Sequence, residues 1–446
     1  MRQKVDIVIR YEHKVRELEG IMLLKIEMER RGYTVAFVAN YDYKDKKRYT
    51  PNLIISPAIY NEGQLMIDIP RYGLKKKIAN LLWEQVNVRS HEESPQNPQN
   101  VYGTGQKTIT LCWGDNTKRR LIAAGMPESN AKVVGLINTD FLRKPFTKLL
   151  STKEQLAEEY GINVAAKWNL FVSSFAYCEL DAVQEMQIRK DFGDKFFEDY
   201  TNISVESRKI LLNWFEKALE KYPEEVLIYR PHPDEIAKSQ DLHSLVARYP
   251  NFHVIGDLSL KHWFNAADKI YNWHSTGIID AVYLKKTCRM LRPCPIADDY
   301  EYRLFDDASQ INTLEEFLND YECLDYTNGL DPLKVSDYYY TPKRHVYLEI
   351  CDLLEEMLNT SKYDIHYTND EKYRFRKAFW RAEIQRRLSF SKPLLRKLGL
   401  FKETFAKSDI AHKVQDEGFA KNVATEEELQ QLYNKLKPIV YGQCGQ

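Results

Sequence analysis

The chain has 446 residues, 43% hydrophobic and 29% charged, a globular balance with room for two or three cores. Lys and Arg number 64, as do Asp and Glu, so the formal net charge is zero and the chain as a whole exerts no electrostatic pull on nucleic acid. Seven scattered cysteines without a C-x-x-C pair speak against a zinc site or a disulfide framework, and no run of about 18 apolar residues reads as a membrane-spanning helix.

The N-terminus lacks an apolar signal region, which predicts a cytoplasmic protein. Residues 5–9 are β-branched and predict a strand. Leu18, Met22, Leu23 and Ile26 line one face of a following helix, which stops at the basic turn and glycine of Arg30-Arg31-Gly32. Residues 34–39 and 53–56 are the next strands, and the strand–helix–strand sequence implies a parallel sheet. Residues 73–100 read as a basic helix and a polar loop. Further strands fall at 108–112 and 132–135, with a helix at 118–125 between them, so a first domain covers 1–145. Residues 146–167 read as a charged crossing segment.

A second alternation begins near residue 169 and predicts a second domain over 168–345. Ser204 is the expected cap of a helix whose apolar face is Leu211, Trp214, Phe215, Ala218 and Leu219. Strands follow at 226–229, 253–255, 269–271 and 289–291, with a helix at 277–284. Residues 346–446 read as a helical extension, whose last helix opens with the capping box Thr425-x-x-Glu428.

Ligands of parallel sheets bind beyond the carboxyl ends of the strands. Two segments of the second domain fall there. In Arg230-Pro231-His232-Pro233-Asp234-Glu235 two prolines stiffen the backbone around an imidazole that can bind a phosphate or protonate a leaving oxygen, and Arg230 offers a forked donor. In Asn272-Trp273-His274-Ser275-Thr276-Gly277 a polar strand-to-helix turn presents hydroxyls and N–H groups to a phosphate, with Asp280 one turn on, within reach of a ribose hydroxyl. By itself, Ser275 or Thr276 reads equally well as a plain helix cap.

The R-P-H-P turn, followed about 40 residues later by the S-T turn and a small-residue helix, resembles bacterial GT-B-type enzymes of surface polysaccharide biosynthesis. Relatives in that group are capsule Kdo transferases, polysialyltransferases and CDP-glycerol glycerophosphotransferases of teichoic acid synthesis. Glu12-His13-Lys14-Val15-Arg16-Glu17-Leu18 and Arg31-Gly32-Tyr33-Thr34-Val35 are similar to the opening of surface carbohydrate biosynthesis proteins, and Trp113-Gly114, Gly125, Val134-Gly135 and Asp140 match a pattern late in the first domain.

The resemblance implies a GT-B-like fold, two Rossmann-like domains facing a cleft. It implies a metal-independent glycosyltransferase without cofactor, moving a sugar from a nucleotide-activated donor to a surface polysaccharide or lipid-linked glycan. A CDP-glycerol or CDP-ribitol polyol-phosphate transferase, a UDP-sugar epimerase and an inactive scaffold of a polysaccharide assembly complex stay open. His232 would contact the donor phosphate and assist its departure. Arg230, His274, Ser275, Thr276 and Gly277 would bind the nucleotide phosphates, and Asp280 would stand where such enzymes often place a ribose-binding Glu.

On the first domain His13, Glu17 and Glu19 are candidate bases for the acceptor proton, although acidic residues also favour a helix start for dipole reasons. Residues 372–402 hold eleven Lys or Arg against one acidic residue, Glu383, interleaved with aromatic residues and leucines. Arg374, Arg376, Lys377, Trp380, Arg386 and Arg387 suit contact with an anionic membrane, at about 1 kcal/mol per basic residue. A packed helical pair and an RNA-binding surface are the other readings.

Overall fold

The computed structural model describes residues 2–40, 49–94, 96–178, 180–232, 235, 240–323, 330–389 and 422–442. They form two compact units. The first comprises Met1–Gln85, Ser94–Asp140 and Ser336–Gln446, the second Val86–Glu93 and Phe141–Val335.

The first unit is built on a six-stranded sheet of β1 (Gln3–Tyr11), β2 (Val35–Ala39), β3 (Tyr49–Ser56), β4 (Ile78–Asn80), β5 (Ile109–Cys112) and β6 (Ala131–Val133). Its order is β2-β1-β3-β4-β5-β6 and every pairing is parallel. Ile7, Val8 and Ile9 are all fully buried, the run without alternation expected of a strand covered on both faces. Three residues are too few to show a period, which is why β4 escapes a sequence reading that expected helix and loop over 73–100. A helix does precede it, at Glu62–Tyr72, opened by the Asn61/Gln64 capping box.

Helix Lys14–Arg30 follows β1, and Gly20 lets it approach the loop after β6. A Cβ there would lie 2.7 Å from Asn138 Oδ1 and 2.8 Å from Ile137 Cγ2. The described helices of 346–446 complete this unit rather than extend from it. Helix Val346–Asn359 packs on Lys14–Arg30, Asn369–Ser389 on Glu62–Tyr72, and Glu426–Gly442 on Lys14–Arg30.

The glycines of the late first-domain pattern seat this returning chain. A Cβ on Gly114 would stand 2.1 Å from the Asp337 carbonyl oxygen, and one on Gly135, at φ +96°, 2.5 Å from that of Tyr340. Buried Asp140 accepts from the N–H groups of Val346 and Tyr347, both at 2.8 Å, and so caps the helix that begins there.

The second unit holds β7 (Trp168–Val172), β8 (Val226–Arg230), β9 (Phe252–Val254), β10 (Lys269–Asn272), β11 (Thr287–Leu291) and β12 (Gln310–Ile311). The order is β12-β11-β10-β7-β8-β9, again all parallel. Residues 146–167, expected as a crossing segment, fall inside this unit. Phe171, Phe215, Tyr229, Tyr271, Phe317 and Tyr321 form much of its core on one face of the sheet. The chain runs outward from β7 to one edge and from β10 to the other, so the topological switch lies between β7 and β10. That is where an open α/β sheet leaves a crevice at its carboxyl end.

Candidate functional site

His232 follows β8 and the Ser275-Thr276 turn follows β10. Both strands neighbour β7, so the two segments flank its carboxyl end. His232 is half-exposed, and its backbone N–H donates to Glu235 Oε2 at 3.2 Å. Glu235 is buried and is the hub of the turn. It accepts from the Tyr229 hydroxyl at 2.6 Å, from Ser173 Oγ, and from Arg208 Nε at 3.0 Å. Arg208, also buried, holds Asp241 at 2.7 Å with Nη1. His232, itself half-exposed, thus stands on a buried charged network.

The second turn is shaped by Asn272. Its Oδ1 accepts from Ser275 N–H and its Nδ2 donates to the Ser275 carbonyl, both at 2.9 Å. Ser275 Oγ accepts from Gly277 N–H at 3.2 Å, and Ser275, Thr276 and Gly277 are half-exposed. A short helix, Ile278–Tyr283, follows. Half-buried Asp280 lies on it, where burial outweighs the charge of Lys261 and raises the carboxyl to about 6.

Arg230 and His274 are placed otherwise than as plain phosphate ligands. The Arg230 guanidinium donates to the Ile255 carbonyl at 3.2 Å and to those of Asp257 and Leu258. Leu258 has φ +62°, so Arg230 braces a strained loop after β9. Burial lowers Arg230 to about 10.

His274 is buried, with Nδ1 2.8 Å from the Tyr200 hydroxyl and its ring centroid 4.6 Å from that of Tyr302. Its Nε2 lies 3.2 Å from Glu301 Oε1 without hydrogen-bond alignment, and its backbone N–H donates to Ser174 Oγ at 3.1 Å. Burial lowers its pKa, opposed by the Glu301 carboxylate. Glu301 would be raised by burial, but His274 and Arg292 outweigh this and hold it at about 2.

Tyr200, Glu301, Arg292 and Glu235 support this site, and sequence reasoning gave none of them a role. Tyr200 sits in a π-helical turn, Phe197–Thr201, a distortion with no composition signature. Glu235 did carry a signal: it is an acidic residue inside the stiffened turn after a buried strand.

In the first unit Glu17 is wholly buried. Its two oxygens accept from the N–H groups of Glu12, at 2.9 Å, and His13, at 3.2 Å, and Arg16 is 3.1 Å away. Burial raises its pKa against these partners. Glu17 therefore ties down the turn after β1. His13 occupies the N-cap position with its side chain uninvolved in capping, and both His13 and Glu19 are half-exposed.

On helix Asn369–Ser389, Phe375 is buried and Phe379 packs beside Gly73, whereas Tyr373 is 65%, Trp380 57% and Ile384 55% exposed. Arg376, Lys377 and Arg381 are exposed, and Arg374 pairs with Glu62 at 2.9 Å and with Asp370 at 3.0 Å. The side chains of Arg386 and Arg387 lie outside the described residues, as do residues 390–421 of the basic stretch. No helix among the described residues is long and apolar enough to cross a membrane.

No protein-family model matches the chain, and no curated protein matches it. Solved structures do resemble it, and the class they define is the GT-B fold that the two parallel sheets build. The wall teichoic acid polymerase TagF aligns with a TM-score of 0.51 at 12% identity, over 79% of this chain and 89% of that one. The Methanocaldococcus jannaschii UDP-GlcNAc 2-epimerase in complex with UDP-GlcNAc and UDP aligns at 0.46 and 12%, over 79% and 100%. The S. aureus MnaA–UDP structure aligns at 0.47 and 12%, over 80% and 97%.

Proposed function

We propose that the protein is a glycosyltransferase that takes a sugar from a nucleotide-activated donor and passes it to a surface polysaccharide or lipid-linked glycan. One observation carries the reading. His232 and the Ser275-Thr276 turn stand half-exposed at the carboxyl ends of the two strands that flank β7, two strand spacings or about 10 Å apart. A diphosphate laid across the end of β7 meets the imidazole on one side and hydroxyls on the other. The His232 ring, held by its Glu235-anchored turn, contacts the phosphate and supplies a proton as negative charge develops on the leaving group. Ser275 and Thr276 donate to phosphate oxygens. Asp280 accepts from a ribose hydroxyl. Arg230 and His274 act behind them, Arg230 on the neighbouring loop and His274 beneath the Ser275 turn. On this reading these groups meet the leaving charge without a metal ion. In the first unit the half-exposed His13 and Glu19 stay the candidate bases for an acceptor proton, whereas Glu17 is committed to the turn after β1.

Thermal shift of the full chain with CMP, CDP, UDP, GDP and ADP tests this. A nucleotide at one hundred times its dissociation constant stabilises the fold by about 2.7 kcal/mol. The expected result is a shift with at least one nucleotide that His232→Ala diminishes. No shift with any of the five overturns the reading.

A polyol-phosphate transferase is the second reading, favoured by the fold shared with TagF. There the bond broken is the pyrophosphate, and the shift would be confined to cytidine nucleotides. A UDP response without acceptor turnover would point to an epimerase. A His232→Ala protein that keeps its biological role would point to a scaffold. The exposed face of Tyr373, Arg376, Lys377, Trp380, Arg381 and Ile384 supports peripheral contact with an anionic membrane on the cytoplasmic side. Cosedimentation with phosphatidylglycerol vesicles but not with phosphatidylcholine vesicles is the expected outcome.

A further inference from the structure

Beyond β11 and β12 the second unit contains a cavity of about 520 Å³, within the range of small-molecule sites. Arg89, Arg292, Glu301, Asp306, Gln310 and Asn312 supply its polar wall, and Pro293, Pro295, Ile296 and Phe305 its apolar one. Arg292 is only 4% exposed, and its guanidinium is 3.2 Å from Glu301. Its Nη1 is nevertheless buried with no acceptor, as is Nε of Arg89. The other Arg89 nitrogens hold Asp298 at 3.2 Å and Asp306 at 2.6 Å. A buried guanidinium N–H without an acceptor is costly, so this wall is short of acceptors.

The charge of the lining decides which kind. Two guanidinium groups face three carboxylates, Asp298, Glu301 and Asp306, so a phosphate or carboxylate entering the cavity meets a wall of net negative charge. An uncharged hydroxyl meets no such penalty. It accepts from a guanidinium N–H and donates to a neighbouring carboxylate, and adjacent hydroxyls repeat the pattern while the carbon skeleton lies on the prolines, Ile296 and Phe305. We propose that this cavity binds an uncharged polyol with adjacent hydroxyls, a sugar ring or an open-chain alditol. The site does not depend on the nucleotide reading, although Glu301 touches both regions, because its ligand carries no phosphate.

Saturation-transfer NMR of the full chain, with ribitol and methyl β-D-glucopyranoside as probes, tests it. Ile296 lies on the loop after β11, half-exposed, and Ile296→Arg would fill the cavity. The wild type is expected to bind at least one probe. Ile296→Arg should weaken that binding about tenfold or more, and Arg292→Lys, which keeps the charge but loses the planar fork, should do likewise. Added inorganic phosphate should leave the probe signal unchanged. No probe signal in the wild type, equal signals in Ile296→Arg, or displacement by phosphate would each overturn the proposal. CDP and UDP, run on the same two proteins, separate the two ideas. A nucleotide response shared by wild type and Ile296→Arg without a probe signal leaves the nucleotide site and removes this one. A probe signal without any nucleotide response does the reverse.

Discussion

His232 and its turn depend on a carboxylate that never meets solvent. Glu235 joins Tyr229, Ser173, Arg208 and the His232 backbone at one point. Glu235→Ala would leave Arg208 buried beside a vacancy, at a cost of roughly 3–5 kcal/mol in urea unfolding. Glu235→Gln, which keeps the acceptor, should cost less. Asp280 gives the opposite sign. Its folded value of about 6 lies above the ordinary 3.8, so the fold favours its protonated form. That contribution is complete below about pH 3.8 and is lost as pH rises through 6. Asp280→Asn should therefore match the wild type near pH 4 and exceed it at pH 7 by about 1–2 kcal/mol, allowing for the part of the carboxyl open to water. A melting-temperature profile across this range checks the sign. The residues of the candidate site stand out where chain chemistry is local: proline around histidine, hydroxyls before a helix. The burial of His274 between Tyr200 and Glu301 does not, because its partners lie 74 and 27 positions away in sequence.

Among the elements, Gly114, Gly135 and Asp140 show how a sequence pattern can be right in its residues and silent on its reason. In the sequence they only match a pattern late in the first domain. Gly114 and Gly135 are points where a distant backbone passes too close for a Cβ, and Asp140 caps the first turn of a helix that begins two hundred residues later. Gly114→Ala should displace the stretch around Asp337 and lower the melting temperature without changing nucleotide response, since the second unit is untouched. Asp140→Ala removes two capping hydrogen bonds at a buried site and should cost about 2 kcal/mol in denaturant titration. The βαβ alternation was readable because β-branched runs and 3.6-residue faces announce themselves. β4, β12 and the π-helical turn were not, being too short or too irregular to carry a period.

At the scale of the whole molecule, two parallel α/β units follow from the alternation of strands and helices, but their composition does not follow from chain order. Residues 346–446 looked like an appendage because nothing local tells a helix which sheet it will cover. Ile365, Tyr367 and Phe375 lie in the first unit's core beside Val8, Ile54 and Leu65. A chain ending at residue 335 should therefore lose cooperative unfolding of the first unit, seen by calorimetry as one missing transition, while the second keeps its own.

The interleaving also bears on birth order. The first unit draws on three separated stretches, the last beginning at Ser336, whereas the second is nearly continuous. On a ribosome, the first unit's sheet emerges before most of the second unit but must wait, partly uncovered, for helices synthesised after it. The second unit can close while synthesis is still under way, against the usual N-terminal-first sequence. For much of its synthesis, then, the nascent protein presents the uncovered face of β1 and β3 to chaperones, and early termination would release that sticky half-sheet rather than a harmless folded fragment.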